Sequence, residues 1–271
     1  MTRIADLMAA LDRWAPPHLA ESYDNVGLQT GQPGAAFTGA LVALEITPAV
    51  LDEAQAVGAN LVITHHPLWF RPRKHLRGDD FVSHCLLLAL ERGLALFALH
   101  TNLDNVSTGV NSRIAQQLGL LETRILQPLD ATGQTGAGLI GRLPAPLPEA
   151  DFRQLVRQQL HTRLLRYAPG PPVIERVALC GGAGSFLIET AIKAGADAFV
   201  TGDITHHYFF EPQGRLLLVD AGHYETEQFT AQLIFEYLSG QFPQLLAENR
   251  LHLSTQSTNP VRLDWGNGQE A

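Results

Sequence analysis

Gly58-Ala59-Asn60-Leu61-Val62-Ile63-Thr64-His65-His66-Pro67 is the stretch from which the rest of the chain can be read. Leu61 to Ile63 form a short apolar run of the kind that makes a buried strand. Pro67 ends it, because proline lacks the ladder donor and biases His66 toward an extended backbone. Neighbouring side chains of a strand face opposite ways. His65 and His66 therefore meet at one site only if the backbone leaves the strand here; otherwise they are a pair of surface or hydrogen-bonded histidines.

Working outward, strands alternate with helices. Ala40 to Leu44 reads as a strand, and Thr47-Pro48 supplies an N-cap and a first-turn proline for a helix through Val57, closed by Gly58. Downstream, a helix from Phe81 to Arg92 feeds a strand from Leu94 to Leu99, which runs into His100-Thr101-Asn102-Leu103-Asp104. The second half repeats this plan. Val177-Ala178-Leu179 corresponds to Val42-Ala43-Leu44, Gly195 to Thr201 corresponds to Gly58 to Thr64, and the strand Leu216 to Val219 corresponds to the one after Gly93. A repeat this long is a duplicated α/β unit rather than a solenoid. The expected fold is α/β: two intertwined, duplicated units with mainly parallel sheets, and a metal site between them at the carboxyl ends of the strands. The first unit is expected to be discontinuous, residues 1–127 plus 222–271, and the second to span 128–221. The glycines of 133–141 and the prolines 144, 146, 148 and 169–172 punctuate a connection expected to hold one strand and one helix.

Composition narrows the function. The 271 residues are 45% hydrophobic and 17% charged, with a net charge of -8, which suits a globular protein with a sizeable core and makes nucleic acid or an anionic membrane an unlikely partner. Arg71, Arg73, Lys74 and Arg77 form the one notable basic cluster, read either as a solvated loop or as an anion site. The apolar runs are too short to span a bilayer, and the N-terminal residues follow helical spacing rather than a signal pattern. Cys85 and Cys180 lie far apart in apolar surroundings, as buried thiols of a reducing cytoplasm would.

The polar residues after the strands carry the chemistry. Asp220-Ala221-Gly222-His223 enters a helix, so His223 and Glu227, four apart, share a face. With His65, His66 and Asp104 they make three imidazoles and two carboxylates, a nitrogen and oxygen set suited to two divalent ions of Zn, Mn, Fe, Co or Ni. Taken singly, Asp104 is a turn former, His223 a core histidine and Glu227 a solvated charge; their joint placement at equivalent strand ends favours the metal reading. His100 either holds or moves a proton beside the metals or caps its strand. Cys180-Gly181-Gly182-Ala183-Gly184-Ser185, between a strand and a helix near Phe186, is read as a tight turn or as a phosphate cradle, with Gly181, Gly182 and Ser185 as substrate-binding residues. Asp24 and Asn25 are read as turn residues, with approach to a ligand as the alternative. His206 and His207, at the strand end matching His65, are read as weaker candidates for the cavity wall, and Glu225 has no assigned role.

Tyr23-Asp24-Asn25-Val26-Gly27, Thr64-His65-His66-Pro67-Leu68, His100 to Asp104, Cys180-Gly181-Gly182, Thr201-Gly202-Asp203 and Asp220 to His223, in this order, resemble the motifs of the dinuclear metal centre hexameric proteins. These are also named GTP cyclohydrolase I type 2 homologues or Nif-three-like proteins. The resemblance implies that His65, His66, Asp104, His223 and Glu227 ligate the metals, that the chain is a short form without an inserted middle domain, and that six copies form a ring. This sequence departs from the family in carrying Tyr23 for a usual Trp, Glu45 for a usual Asp, and Glu225 as an extra acid. The function expected is a metal-dependent hydrolase, GTP cyclohydrolase-like, using a metal-activated water on a nucleotide or related phosphorylated small molecule. The rival is a non-catalytic metal carrier or adaptor ring.

Overall fold

The computed structural model describes residues 2–264; residues 265–271, expected at the end of the first unit, lie outside the described residues. The chain opens with α1 (Ile4–Trp14), whose Ile4, Leu7 and Leu11 are buried on one face. Then come β1 (Gly27–Thr30), β2 (Ala40–Ala43), α2 (Pro48–Ala56), β3 (Leu61–Thr64), α3 (Phe81–Glu91) and β4 (Ala95–Ala98). Thr47 caps α2, its hydroxyl accepting from the Val50 amide at 3.2 Å. β2, β3 and β4 run parallel, Ala40 opposite Leu61 and Leu61 opposite Ala95.

The turn expected through Leu28 gives way at Gly27 to β1, an antiparallel edge strand on β4. Its residues are only half-buried, so no apolar run announced it, and the pairing partner supplies the strand.

Beyond β4 the chain forms α4 (Thr101–Asp104), α5 (Val110–Gln117), β5 (Leu121–Pro128), β6 (Gly136–Pro148), α6 (Glu149–Gln159) and β7 (Arg166–Ala168). There follow β8 (Val173–Ala183), α7 (Ile188–Lys193), β9 (Ala198–Gly202), β10 (Leu217–Asp220) and α8 (His223–Glu227). The last elements are α9 (Thr230–Gln241), α10 (Pro243–Ala247) and β11 (Leu251–Leu253). The second sheet has the order β5-β6-β8-β9-β10-β7. Its duplicated strands β8, β9 and β10 are parallel, Val177 opposite Ala198 and Ala198 opposite Leu217, whereas β5, β6 and β7 add antiparallel at its margins.

The connection thus holds more than the expected strand and helix. β6 runs through Pro144, Pro146 and Pro148, where its register against β8 breaks between Arg142 and Leu147; residues without a ladder donor are tolerated at such a break. Because β5 joins the second sheet, the chain crosses between sheets ahead of Leu121 rather than at residue 128. The second crossover of the second half is a 3-10 turn, His206–Phe210, rather than a helix. β11 returns to the first sheet, parallel to β2. One buried cluster reaches from Leu7, Ile63 and Phe97 through Ile114 to Phe152, Leu179 and Val219, so both sheets share a core. No helix among the described residues is long and apolar enough to cross a membrane.

Candidate metal centre

The residues that follow β3, β4 and β10 meet where the two sheets come together. His65, fully buried just after β3, places Nδ1 2.8 Å from the Leu99 carbonyl. A carbonyl only accepts, so Nδ1 carries the proton and Nε2 of the neutral ring offers its lone pair. The same logic holds around the cluster. His66 Nδ1 faces Glu45 Oε1 at 3.3 Å, His223 Nδ1 faces Asp203 Oδ2 at 2.7 Å, and His100 Nδ1 faces Asp24 Oδ1 at 2.8 Å. In each ring a fixed acceptor holds one nitrogen and turns the other inward.

The inward atoms converge. Glu227 Oε2 lies 2.9 Å from His66 Nε2 and 3.0 Å from His223 Nε2, and those two nitrogens are 3.3 Å apart. Glu227 Oε1 is 3.7 Å and Asp104 Oδ1 3.8 Å from His65 Nε2. His65 Nε2 and Asp104 Oδ1 are buried yet make no hydrogen bond. Orphaned buried atoms of this kind are costly unless something else satisfies them, and a cation does so. Among the described residues, two groups are close enough to hold a metal ion: His66 with His223 and Glu227, and His65 with His66 and His100. His100 was expected beside the metals rather than among candidate ligands; its ring stands 5.3 Å from His65 and 5.4 Å from His66.

The electrostatics carry the same demand for positive charge. Burial and the facing Glu227 raise the Asp104 carboxyl well above its ordinary value. Burial would raise Glu227 as well, but the imidazoles of His65, His223 and His66 hold it well below. Burial lowers His65 to about 4, whereas Glu227 and Glu45 outweigh burial at His66 and raise it to about 10. Glu227 and Asp203 likewise raise His223 to about 9. Without a metal, then, protons on His66 and His223 neutralise a buried carboxylate.

Local sequence explains the placement. His223 and Glu227 share a face of α8, as their spacing required. A Cβ on Gly182 would stand 2.4 Å from Glu227 Oε1, and one on Gly202 would stand 2.8 Å from the His223 amide nitrogen. Both glycines leave room for the α8 turn to approach. At Gly181 and Gly182 this arrangement favours the tight-turn reading over the phosphate cradle. The Gly181 amide donates to Asn111 Oδ1 at 2.9 Å, that of Gly182 to Thr226 Oγ1 at 3.0 Å, and that of Gly184 to Thr201 Oγ1 at 2.9 Å. Gly181 and Gly182 belong to β8 with their amides already used, and Ser185 opens a 3-10 turn.

Other expectations also resolve. Asp24 is more than a turn residue: besides His100 it accepts from the Thr101 amide at 3.0 Å, and these bonds overcome burial to hold its carboxyl at about 2. Asp203, Glu45 and Asp24, not assigned to the site from sequence, lie beside strand ends, the positions that exposed the histidines. Arg71, Arg73, Lys74 and Arg77 lie on an exposed loop, with Arg73 and Arg77 paired to Asp80 and Asp79. His206 and His207 stand exposed on their 3-10 turn, outside the metal groups. Cys85 and Cys180 are buried free thiols.

Two cavities flank the His223-Tyr224 turn. One, of about 420 Å³, carries charged side chains, Arg163, Arg166, Arg262, Asp203 and Glu225, among its lining. The other, of about 550 Å³, is bounded by His66, His100 and His223 and by Leu68, Phe70 and Phe81. Pockets of this size suit small molecules.

The model of the Duf34/NIF3 (NGG1p interacting factor 3) family matches residues 2–260. A Nostoc protein named GTP cyclohydrolase 1 type 2 homolog is 36% identical over 242 residues, 87% of this chain and 91% of that relative. The Streptomyces coelicolor protein of the same name is 32% identical over 267 residues, 96% of this chain and 94% of that one. A solved Bacillus cereus protein related to NIF3 shares the fold, with a TM-score of 0.90 at 23% identity over 97% of this chain and 99% of its own. A Staphylococcus aureus structure gives 0.85 at 28% identity over the same shares, 97% and 99%. With the family model spanning nearly the whole chain and these relatives aligned end to end, the protein belongs to the Duf34/NIF3 family.

Proposed function

We propose that this protein is a metal-dependent hydrolase with a dinuclear centre built from His65, His66, Asp104, His223 and Glu227, acting on a nucleotide or related phosphorylated small molecule. The observation that carries the reading is the pair of inward atoms, His65 Nε2 and Asp104 Oδ1, buried without hydrogen bonds around Glu227 and beside an open cavity. Divalent ions bound there supply Lewis acidity and ease the ionisation of water.

The chain's own residues do the rest. Glu227, 3.7 Å from His65 Nε2 and 2.9 Å from His66 Nε2, would help to hold the ions, with Asp203 and Glu45 fixing His223 and His66. His100, oriented by Asp24, presents Nε2 as a proton-holding group at the cavity wall. Arg163 and Arg262 of the cavity of about 420 Å³ offer guanidinium groups to an anionic part of the substrate. GTP cyclohydrolase-like ring opening is the named candidate, supported by the names of the relatives. The family resemblance also supports a homohexameric ring in the cytoplasm, which light scattering on purified protein and localisation of a tagged chain would test.

The deciding experiment compares wild type with Glu227→Gln and His100→Asn for metal content, melting temperature and turnover of a panel of nucleotides and phosphodiesters. The hydrolase reading expects two ions per subunit and turnover in wild type, metal and turnover lost together in Glu227→Gln with the fold retained, and turnover lost with metal retained in His100→Asn. A wild type that holds metal but turns over nothing, with a Glu227→Gln protein that unfolds, would establish the non-catalytic metal-binding ring instead.

A further inference from the structure

The cavity of about 550 Å³ beside the centre has a composition of its own. On one side stand the imidazoles of His66, His100 and His223; the other walls are Ile46, Pro67, Leu68, Phe70, Phe81 and Val82. Pro260 and Val261 of the C-terminal segment close it, and apart from the histidines and Tyr224 its only polar side chains are Glu45 and Asn259. Glu45 is already engaged by His66. Aromatic rings reach the mouth unsheltered: Phe81 is 56% and Phe70 36% exposed, and Tyr23 sits edge-on to Phe70 at 6.3 Å. Phe70 in turn stands perpendicular to His100, 5.9 Å away. Rings set edge-on to one another leave faces and edges for another flat ring, and apolar aromatic surface facing water at a small-molecule cavity is covered when a ligand of like character binds.

We infer that this cavity is a ring subsite: it takes a planar, uncharged aromatic or heteroaromatic group of the substrate, and so presents the adjoining polar end to His66, His223 and Glu227. The inference rests on the hydrolase reading of that centre and names the class of substrate it would take. With few hydrogen-bonding groups in its walls, the subsite selects by flatness and apolar contact rather than by a pattern of donors and acceptors.

Phosphonates test it, since their carbon–phosphorus bond is not a substrate for hydrolysis. Binding of phenylphosphonate, cyclohexylphosphonate and methylphosphonate would be measured by calorimetry on zinc-loaded and metal-free protein, and on Phe81→Ala and Val261→Ser. Phenylphosphonate should bind more tightly than methylphosphonate in the loaded wild type, and about two- to tenfold more tightly than the cyclohexyl compound, the range expected of one aromatic contact. Phe81→Ala should erase the phenyl over cyclohexyl preference, and Val261→Ser should weaken both while metal content stays at the wild-type level. Equal affinity for phenyl and methyl, equal affinity for phenyl and cyclohexyl, or a preference untouched by both variants would overturn the ring subsite. Its failure is separable from failure of the hydrolase reading, because the affinity ratios are read without turnover, whereas that reading stands or falls on metal content and hydrolysis in wild type.

Discussion

The buried His65 ring shows how single residues specify the centre: its Nδ1–H is tied to the Leu99 carbonyl, and its Nε2 is left without a hydrogen bond. Gly182 serves the same centre by lacking a side chain, with φ at +59° and Glu227 Oε1 where a Cβ would sit. In Gly182→Ala the α8 carboxylate must move, and metal affinity should fall about 10- to 100-fold, the effect usual for disturbing the groups that orient ligands. Titration with a chromophoric chelator would check it against an unchanged circular dichroism spectrum. Protons offer a second test. His66 and His223, raised to about 10 and 9 by Glu227 against burial, are protonated at neutral pH without metal and must give those protons up as they ligate. Calorimetry in buffers of different ionisation enthalpy should therefore show proton release from both rings on zinc binding. The metal-free protein carries the matching stability signature: these raised values stabilise the fold fully below an unfolded value of about 6.5, and the contribution is lost as pH rises through about 9 and 10. Denaturation midpoints of the metal-free protein that did not fall across that alkaline window would contradict the pairing with Glu227.

Elements bring these residues together by ending at the right places. Thr47-Pro48 starts α2 as the sequence indicates, and replacing the cap by Thr47→Ala should cost about 1 kcal/mol in urea unfolding. Metal content should stay unchanged, since the Thr47 hydroxyl is bonded to the Val50 amide rather than to Glu45 or His66. β3 and β10 were legible from their apolar runs, and the i, i+4 spacing of His223 and Glu227 was legible once α8 was read as a helix. β1 was not legible, because an edge strand open to solvent on one side needs no apolar run and takes its definition from β4. The prolines of β6 misled for a related reason. A local signal for chain breaks carries no information about a register shift against β8 that accommodates them.

At the scale of the molecule, the two sheets share one buried core. Phe152 is fully buried in the cluster that also holds Phe97 and Leu179. Phe152→Ala should cost about 3–5 kcal/mol, and because the core is common, fluorescence and far-ultraviolet circular dichroism should report one coincident transition rather than two. Separate transitions would instead support independent units of the kind expected from the repeat, with the crossing placed ahead of β5.

What the sequence by itself determined is the alternation of strands and helices, the duplication, and the ligand-type residues at strand ends. These follow from local periodicity and from the chemistry each side chain carries. Only the tertiary structure decided which of those residues meet. Asp24 reads locally as a turn former and Asp203 as part of a polar loop, yet one holds His100 and the other His223, because the pairing of β1 with β4 and of β9 with β10 brings together residues 76 and 20 positions apart. The same packing consumed the amides of Gly181 and Gly182. A glycine-rich turn looks like an anion cradle until its donors are followed to their acceptors, and those acceptors, Asn111 and Thr226, come from other parts of the chain.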